Sequence, residues 1–215
     1  MLELLQYSFF TNALLAGILS AIACGVIGVF VVIRKISYIS GSIAHASFGG
    51  IGIAYFLGLN PLWGALAFSI LSVLAVAGVT KKAKQHEDAI IGAVWAIGMA
   101  IGLFFIYLTP GYASDLFSYL FGNILLVADY EIIFMLVLDV FIIGSIALVF
   151  KWLVAIIFEE EFAKVTNIKT FSYYLFLLLL IGLTVVVLIK TVGIILVIAL
   201  LTLPPATAQL VSKNF

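Results

Sequence analysis

The chain has 215 residues, with ten Lys plus Arg against ten Asp plus Glu, and is 66% hydrophobic and 9% charged. A soluble domain is about 45–50% apolar and about 25% charged, so this little polarity cannot cover a globular surface and the composition is that of a polytopic membrane protein. Balanced charge excludes the clustered basic face of a nucleic-acid binder. The single cysteine, Cys24, excludes a disulfide framework or a thiolate metal cluster.

A helix needs about 20 apolar residues to cross the hydrocarbon core. Seven stretches qualify in chain order: 9–33, 38–57, 62–79, 89–108, 131–157, 171–189 and 192–210. The expected fold is therefore all-α, one transmembrane domain over 1–215 with about seven spans. The first stretch is too long for a cleaved signal peptide, and no basic segment precedes it. Spans 1 and 2 carry small residues at every fourth position: Ala13, Gly17, Ala21 and Gly25, then Ser42, Ala46, Gly50 and Ala54. Lipid tails are as apolar as Leu, so helices associate along such ridges by close backbone approach.

The breaks between spans differ in charge. Arg34-Lys35 follows span 1, Lys81, Lys82 and Lys84 follow span 3, and Lys151, Lys164 and Lys169 surround the break after span 5. The breaks at 58–61, 110–130 and Lys190-Thr191 hold one base between them. Basic residues gather in short cytoplasmic loops. This places the N-terminus outside and the C-terminus in the cytoplasm of a cell-membrane protein.

Span 2 is unusual in carrying Ser37, Ser40, Ser42, His45 and Ser47. Gly41 and Gly49 lie four residues to either side of His45 on its face, leaving room for a water or a metal ion. Intramembrane ionisable groups are costly and point to function, and neutral imidazole is the commonest metal ligand. The alternative is an interhelical hydrogen bond to a carbonyl. Asp139 lies eight residues inside span 5, about 12 Å from Glu131 by the helical rise, and is the second pathway candidate. His86, within the charged segment 81–88, reads as a solvated loop residue.

The segment 115–127 is too short to span and too apolar for a free loop. It suits a re-entrant or interfacial helix covering the outer mouth, since irregular backbone survives at membrane depth only inside protein. Pro204-Pro205 should kink span 7. The stretch Phe158-Glu-Glu-Glu-Phe-Ala-Lys-Val-Thr-Asn-Ile-Lys-Thr170 opens with acids and ends with bases, matching a helix dipole, and Asn167 suits a helix end. A short amphipathic cytoplasmic helix is expected there, with a plain charged connector as the alternative.

Several of these residues resemble a known family. Glu160-Glu161-x-Ala163-x-x-x-Asn167 resembles the coupling-helix motif of ABC importer permeases, with Asn167 in place of its Gly. Ser118-Tyr119-Leu120-Phe121-Gly122-Asn123-Ile124-Leu125 is similar to the outer-loop helix of the permeases of zinc and manganese importers. Val192-Gly193-Ile194-Ile195-Leu196 with Leu203-Pro204-Pro205-Ala206-Thr207-Ala208 resembles their late helix, and Arg34-Lys35 through His45-Ala46 their second-helix motif.

The resemblance implies a homodimeric permease, non-enzymatic itself, with the fold of vitamin B12 and iron-chelate importers. Its implied partners are two ABC ATPase subunits inside, a metal-binding protein outside and membrane lipid, with no nucleic acid. No cofactor would be held permanently; the cargo would be a divalent metal, zinc or manganese. By this resemblance Glu159, Glu160, Glu161, Ala163 and Asn167 would couple to the ATPase, His45 would line the metal pathway, with Asp139 added to it by its place inside span 5, and Asp115, Tyr119 and Phe121 would form the outer gate. Two positions depart from the pattern. The family's Asp four positions before the His is Gly41 here, and the family usually runs on for two more helices, so the chain reads as a shortened member or a truncated product. An ATP-independent channel or secondary carrier, which needs ionisable residues on several helices, and a non-transporting subunit are the competing readings. No His-Glu-x-x-His or Gly-x-Ser-x-Gly motif supports an intramembrane enzyme.

Overall fold

A computed structural model of the chain describes residues 6–82, 87–110, 114–158, 165–166 and 168–211. The helices are α1 (Ser8–Ile33), α2 (Ser37–Phe56), α3 (Pro61–Lys82), α4 (Glu87–Leu108), α5 (Ser114–Phe121), α6 (Asp129–Phe158), α7 (Thr170–Val192) and α8 (Ile194–Val211), with a 3-10 turn at Ile124–Leu126. Six of them (all but α2 and α5) are long and apolar enough to cross a bilayer by length and composition. The breaks follow local chemistry. Lys35 takes a positive φ of 58° after α1, and Pro61 opens α3, where its missing N–H costs nothing, while Asn60 Oδ1 accepts the Leu62 N–H at 3.0 Å.

The seventh long helix, α2, is less apolar than its neighbours because it faces them and not lipid. Fourteen of its 20 residues are buried, and α3, α4, α7 and α8 pack around it. The ridge Ser42-Ala46-Gly50-Ala54 does what small residues allow. Gly50 meets Gly64 of α3 backbone to backbone, and Ala46 presses on Gly98 of α4. A side chain at either glycine of the first pair would occupy the other helix's main chain.

The ridge expected on α1 is a different one. Ala21 and Gly25 are exposed, and a Cβ on Gly25 would meet nothing within 4 Å. The buried stripe is Ala16, Ser20, Cys24, Ile27 and Gly28, with Ala23 beside it. Gly28 touches the Leu201 carbonyl of α8. Both stripes repeat every three to four residues, and the one that wins also carries Ile27, whose burial is favourable against helices and neutral against lipid.

The break expected at Lys190-Thr191 lies two residues later. Both residues are helical, and the chain turns at Gly193, where φ is 79°. The segment 115–127 holds the short helix expected of it, ending at Phe121, and then a 3-10 turn at Ile124–Leu126 that was not expected. Gly122, also at positive φ (77°), abuts Gly193 backbone to backbone, so the hairpin is seated on the α7–α8 junction. Helix α8 runs through Pro204 and Pro205 without ending. Large apolar residues such as Tyr107, Leu148, Val140 and Leu103 remain exposed on α4 and α6, the faces that lipid would cover.

Candidate translocation site

The α2 hydroxyls mostly serve the helix itself. Ser40 bonds the Ser37 carbonyl (2.7 Å) and Ser47 the Ile43 carbonyl (2.8 Å), whereas Ser42 crosses to the Ile91 carbonyl of α4 at 2.8 Å. His45 combines two roles that the sequence left as alternatives. Its Nδ1 lies 2.9 Å from the Gly41 carbonyl. A carbonyl only accepts, so Nδ1–H is the donor and the neutral ring carries its lone pair on Nε2. Metal-binding histidines are commonly held in this way, with one nitrogen donating to backbone and the other left to ligate.

The ring is half-buried and stacks on Trp95 of α4, centroids 4.0 Å apart at 29°. The space that the flanking glycines were expected to leave for an ion is filled by neighbouring helices. Ile198 of α8 fills the notch at Gly41, and Phe68 with the Gly98 carbonyl lies against Gly49. A side chain at position 41 would collide with Ile198, so the missing carboxylate is matched by an apolar partner. Among the described residues no group of three or more His, Cys, Asp and Glu side chains could hold a metal.

His45 and Asp139 lie in different seams. α2 packs on α3, α4, α7 and α8, whereas α6 packs on α1 and α7. Asp139 is 3% exposed, and neither carboxylate oxygen has a hydrogen-bond partner. Nearer the start of α6, Glu131 is 2% exposed and fully engaged. It accepts the Ala128 N–H at 2.9 Å and the Tyr130 hydroxyl at 3.3 Å, and pairs with Lys190 of α7 at 3.3 Å. The same ammonium sits 5.0 Å from the Tyr119 ring centroid, and the Lys190 carbonyl accepts the Asn123 N–H. Lys190 thus fastens the α5 hairpin to α6 and α7.

Tyr119 is buried in this contact, while Phe121 is 62% exposed; the Asp115 side chain lies outside the described residues. So do Glu159, Glu160, Glu161, Ala163 and Asn167, and His86 with them. Trp95, Ile198, Glu131 and Lys190 are additions that the sequence reading missed. Glu131 and Lys190 stood at span ends, where charges are ordinary; only their opposite sign at one end of two neighbouring spans hinted at a pair.

Apolar helices enclosing a histidine-bearing polar helix, with a re-entrant hairpin at one end, form a multi-pass membrane permease. The profile of the ABC 3 transport family matches residues 6–215, and the chain belongs to that family. It is 47% identical over 208 residues to an uncharacterised membrane protein of a Synechocystis, covering 97% of this chain and 74% of the relative. It is 35% identical over 212 residues to the manganese transport system membrane protein MntC of Halalkalibacterium halodurans, covering 99% and 73%. Among solved structures, PsaBC from Streptococcus pneumoniae, determined in complex with a Fab, superposes with a TM-score of 0.88 at 31% identity over 99% of this chain and 77% of that one.

Proposed function

We propose that the chain is the membrane-spanning subunit of an ATP-driven importer for a divalent metal ion of the zinc or manganese class. The observation that carries this reading is the family match over nearly the whole chain, joined to a central helix that carries an oriented imidazole. The subunit itself performs no hydrolysis. An ABC ATPase dimer supplies it from the cytoplasm through residues 159–170, an extracytoplasmic metal-binding protein delivers the cargo, and two copies of the chain form the pore.

In this reading the end bearing α5 faces outward, consistent with the basic breaks at the other end. The Tyr119–Lys190–Glu131 contact holds the outer hairpin shut, with Asp115 and Phe121 on the same cover. The ion then contacts His45 through Nε2, and transit requires Ile198 to withdraw from the notch at Gly41. A closure cycle moves the bundle only if docking at 159–170 favours one of its two states over the other.

Affinity purification from membranes tests the reading. An ABC ATPase is expected to copurify, and cells lacking the protein should show a deficit of one divalent metal. Purification without any nucleotide-hydrolysing partner, with unchanged cellular metal, contradicts it and favours an ATP-independent carrier.

A further inference from the structure

A planar ring held at one atom can still turn about it. The contact of His45 Nδ1 with the Gly41 carbonyl therefore does not by itself aim Nε2. The second constraint is the face of Trp95, whose ring centroid lies 4.0 Å from that of the imidazole with the planes 29° apart. Trp95 is in turn held by the helix that carries it. Ile91, Trp95, Gly98 and Gly102 recur every three or four residues along α4 and form one face, which runs beside α2 in constant register. The Ile91 carbonyl accepts the Ser42 hydroxyl at 2.8 Å, Gly98 lies against the main chain of Ala46, and Gly102 meets Gly52 main chain to main chain. These contacts fall on both sides of Trp95, so the indole stays over His45 as long as the two helices stay docked. Ile198 of α8 differs, since it reaches the notch at Gly41 with the end of its side chain.

We infer that Trp95 is a positioning residue for His45. By covering one face of the imidazole it fixes the ring plane and keeps the neutral Nδ1–H tautomer on the Gly41 carbonyl, leaving the Nε2 lone pair aimed in one direction. This inference deepens the reading of the chain as a metal permease and rests on it. A binding group works when packing locks its rotamer to within about 0.5 Å of the productive geometry, and a hydrogen bond joined to a stacked face supplies that lock. Trp95 acts through the imidazole and not on the cargo itself. Because α2 and α4 dock main chain to main chain, the two rings move together when the bundle changes state, and Ile198 is left as the part that withdraws.

The full chain, labelled with 15N-histidine and reconstituted in lipid nanodiscs, tests this. It holds two histidines, and His45→Ala assigns the His45 signals. Wild type should show well-separated Nδ1 and Nε2 resonances, the signature of a single tautomer. Trp95→Leu keeps apolar bulk without a ring face, and its two resonances should move towards a common average. Cellular uptake, followed with whichever of radiolabelled Zn2+ and Mn2+ the wild type accumulates, should fall about tenfold, the low end of the roughly 10–100-fold that losing a histidine-orienting group costs. Trp95→Phe, which restores a ring face, should recover the separated resonances and most of the uptake. A merely space-filling Trp95 would make Leu and Phe equivalent. Equal spectra and uptake in wild type and Trp95→Leu, or no gain of Trp95→Phe over Trp95→Leu in monodisperse protein, overturns the inference while His45→Ala still abolishes uptake. Normal uptake in His45→Ala instead overturns the functional reading, and the inference with it.

Discussion

At the scale of the residue, charge placement separates what transports from what fastens. His45→Ala should abolish metal uptake while leaving subunit assembly intact, because its removal costs the fold only one local hydrogen bond and the stack on Trp95. Normal uptake by that variant removes His45 from the mechanism. Lys190 should behave in the opposite way. Lys190→Ala leaves Glu131 buried and uncompensated, a loss of about 3 kcal/mol for a broken buried pair, read as a lower midpoint in thermal unfolding of the purified protein. Adding Glu131→Gln should recover most of it; failure to recover would mean that the ion pair is not what the lysine supplies. His45 was legible in the sequence because a titratable side chain amid apolar ones is conspicuous. The Glu131–Lys190 pair was not, since its members are 59 residues apart and only the fold brings their span ends together. Ile198 was equally hidden, as nothing local marks one isoleucine of α8 as the filler of the Gly41 notch.

At the scale of the element, the helices were legible to within a few residues because apolar run length is a direct readout of the bilayer. What periodicity could not supply was which face meets protein. On α2 both the small-residue ridge and its neighbours are buried, so the prediction could hardly miss; on α1 two stripes competed, and the one with exposed Ala21 and Gly25 lost. Gly50→Leu should therefore be far worse than Gly25→Leu. The first drives a side chain into the Gly64 backbone of α3, with overpacking costs above about 3 kcal/mol, whereas the second points into space that lipid fills. The yield of monodisperse protein after detergent extraction distinguishes them, and equal yields would refute the packing account. The α7–α8 break shows a similar limit. Lys190 suggests a helix end by its charge, but the backbone turns where a residue tolerates positive φ, at Gly193. Segment 159–170 is argued from its acid-to-base order and motif alone. Glu160→Ala with Glu161→Ala should reduce ATPase copurification severalfold without loss of expression; unchanged copurification and uptake would dismiss the coupling role.

At the scale of the whole molecule, composition determines a membrane bundle, and the family profile over 6–215 determines which kind. The proposed orientation, with the basic breaks in the cytoplasm, is checked by cysteine-accessibility labelling on a Cys24→Ala background. A cysteine at Asn60 should react with an impermeant maleimide from outside and one at Lys82 only after permeabilisation; the reverse pattern inverts the topology. The central claim is that this bundle moves a divalent metal only when an ATPase grips it from the cytoplasm. Proteoliposomes holding the chain with its copurified ATPase, ATP at the cytoplasmic face and the metal-loaded binding protein at the other, should accumulate radiolabelled Zn2+ or Mn2+ in an ATP-dependent manner, and His45→Ala should reduce accumulation to background. Equal accumulation without ATP, or none of either metal while ATP is hydrolysed, would contradict the account.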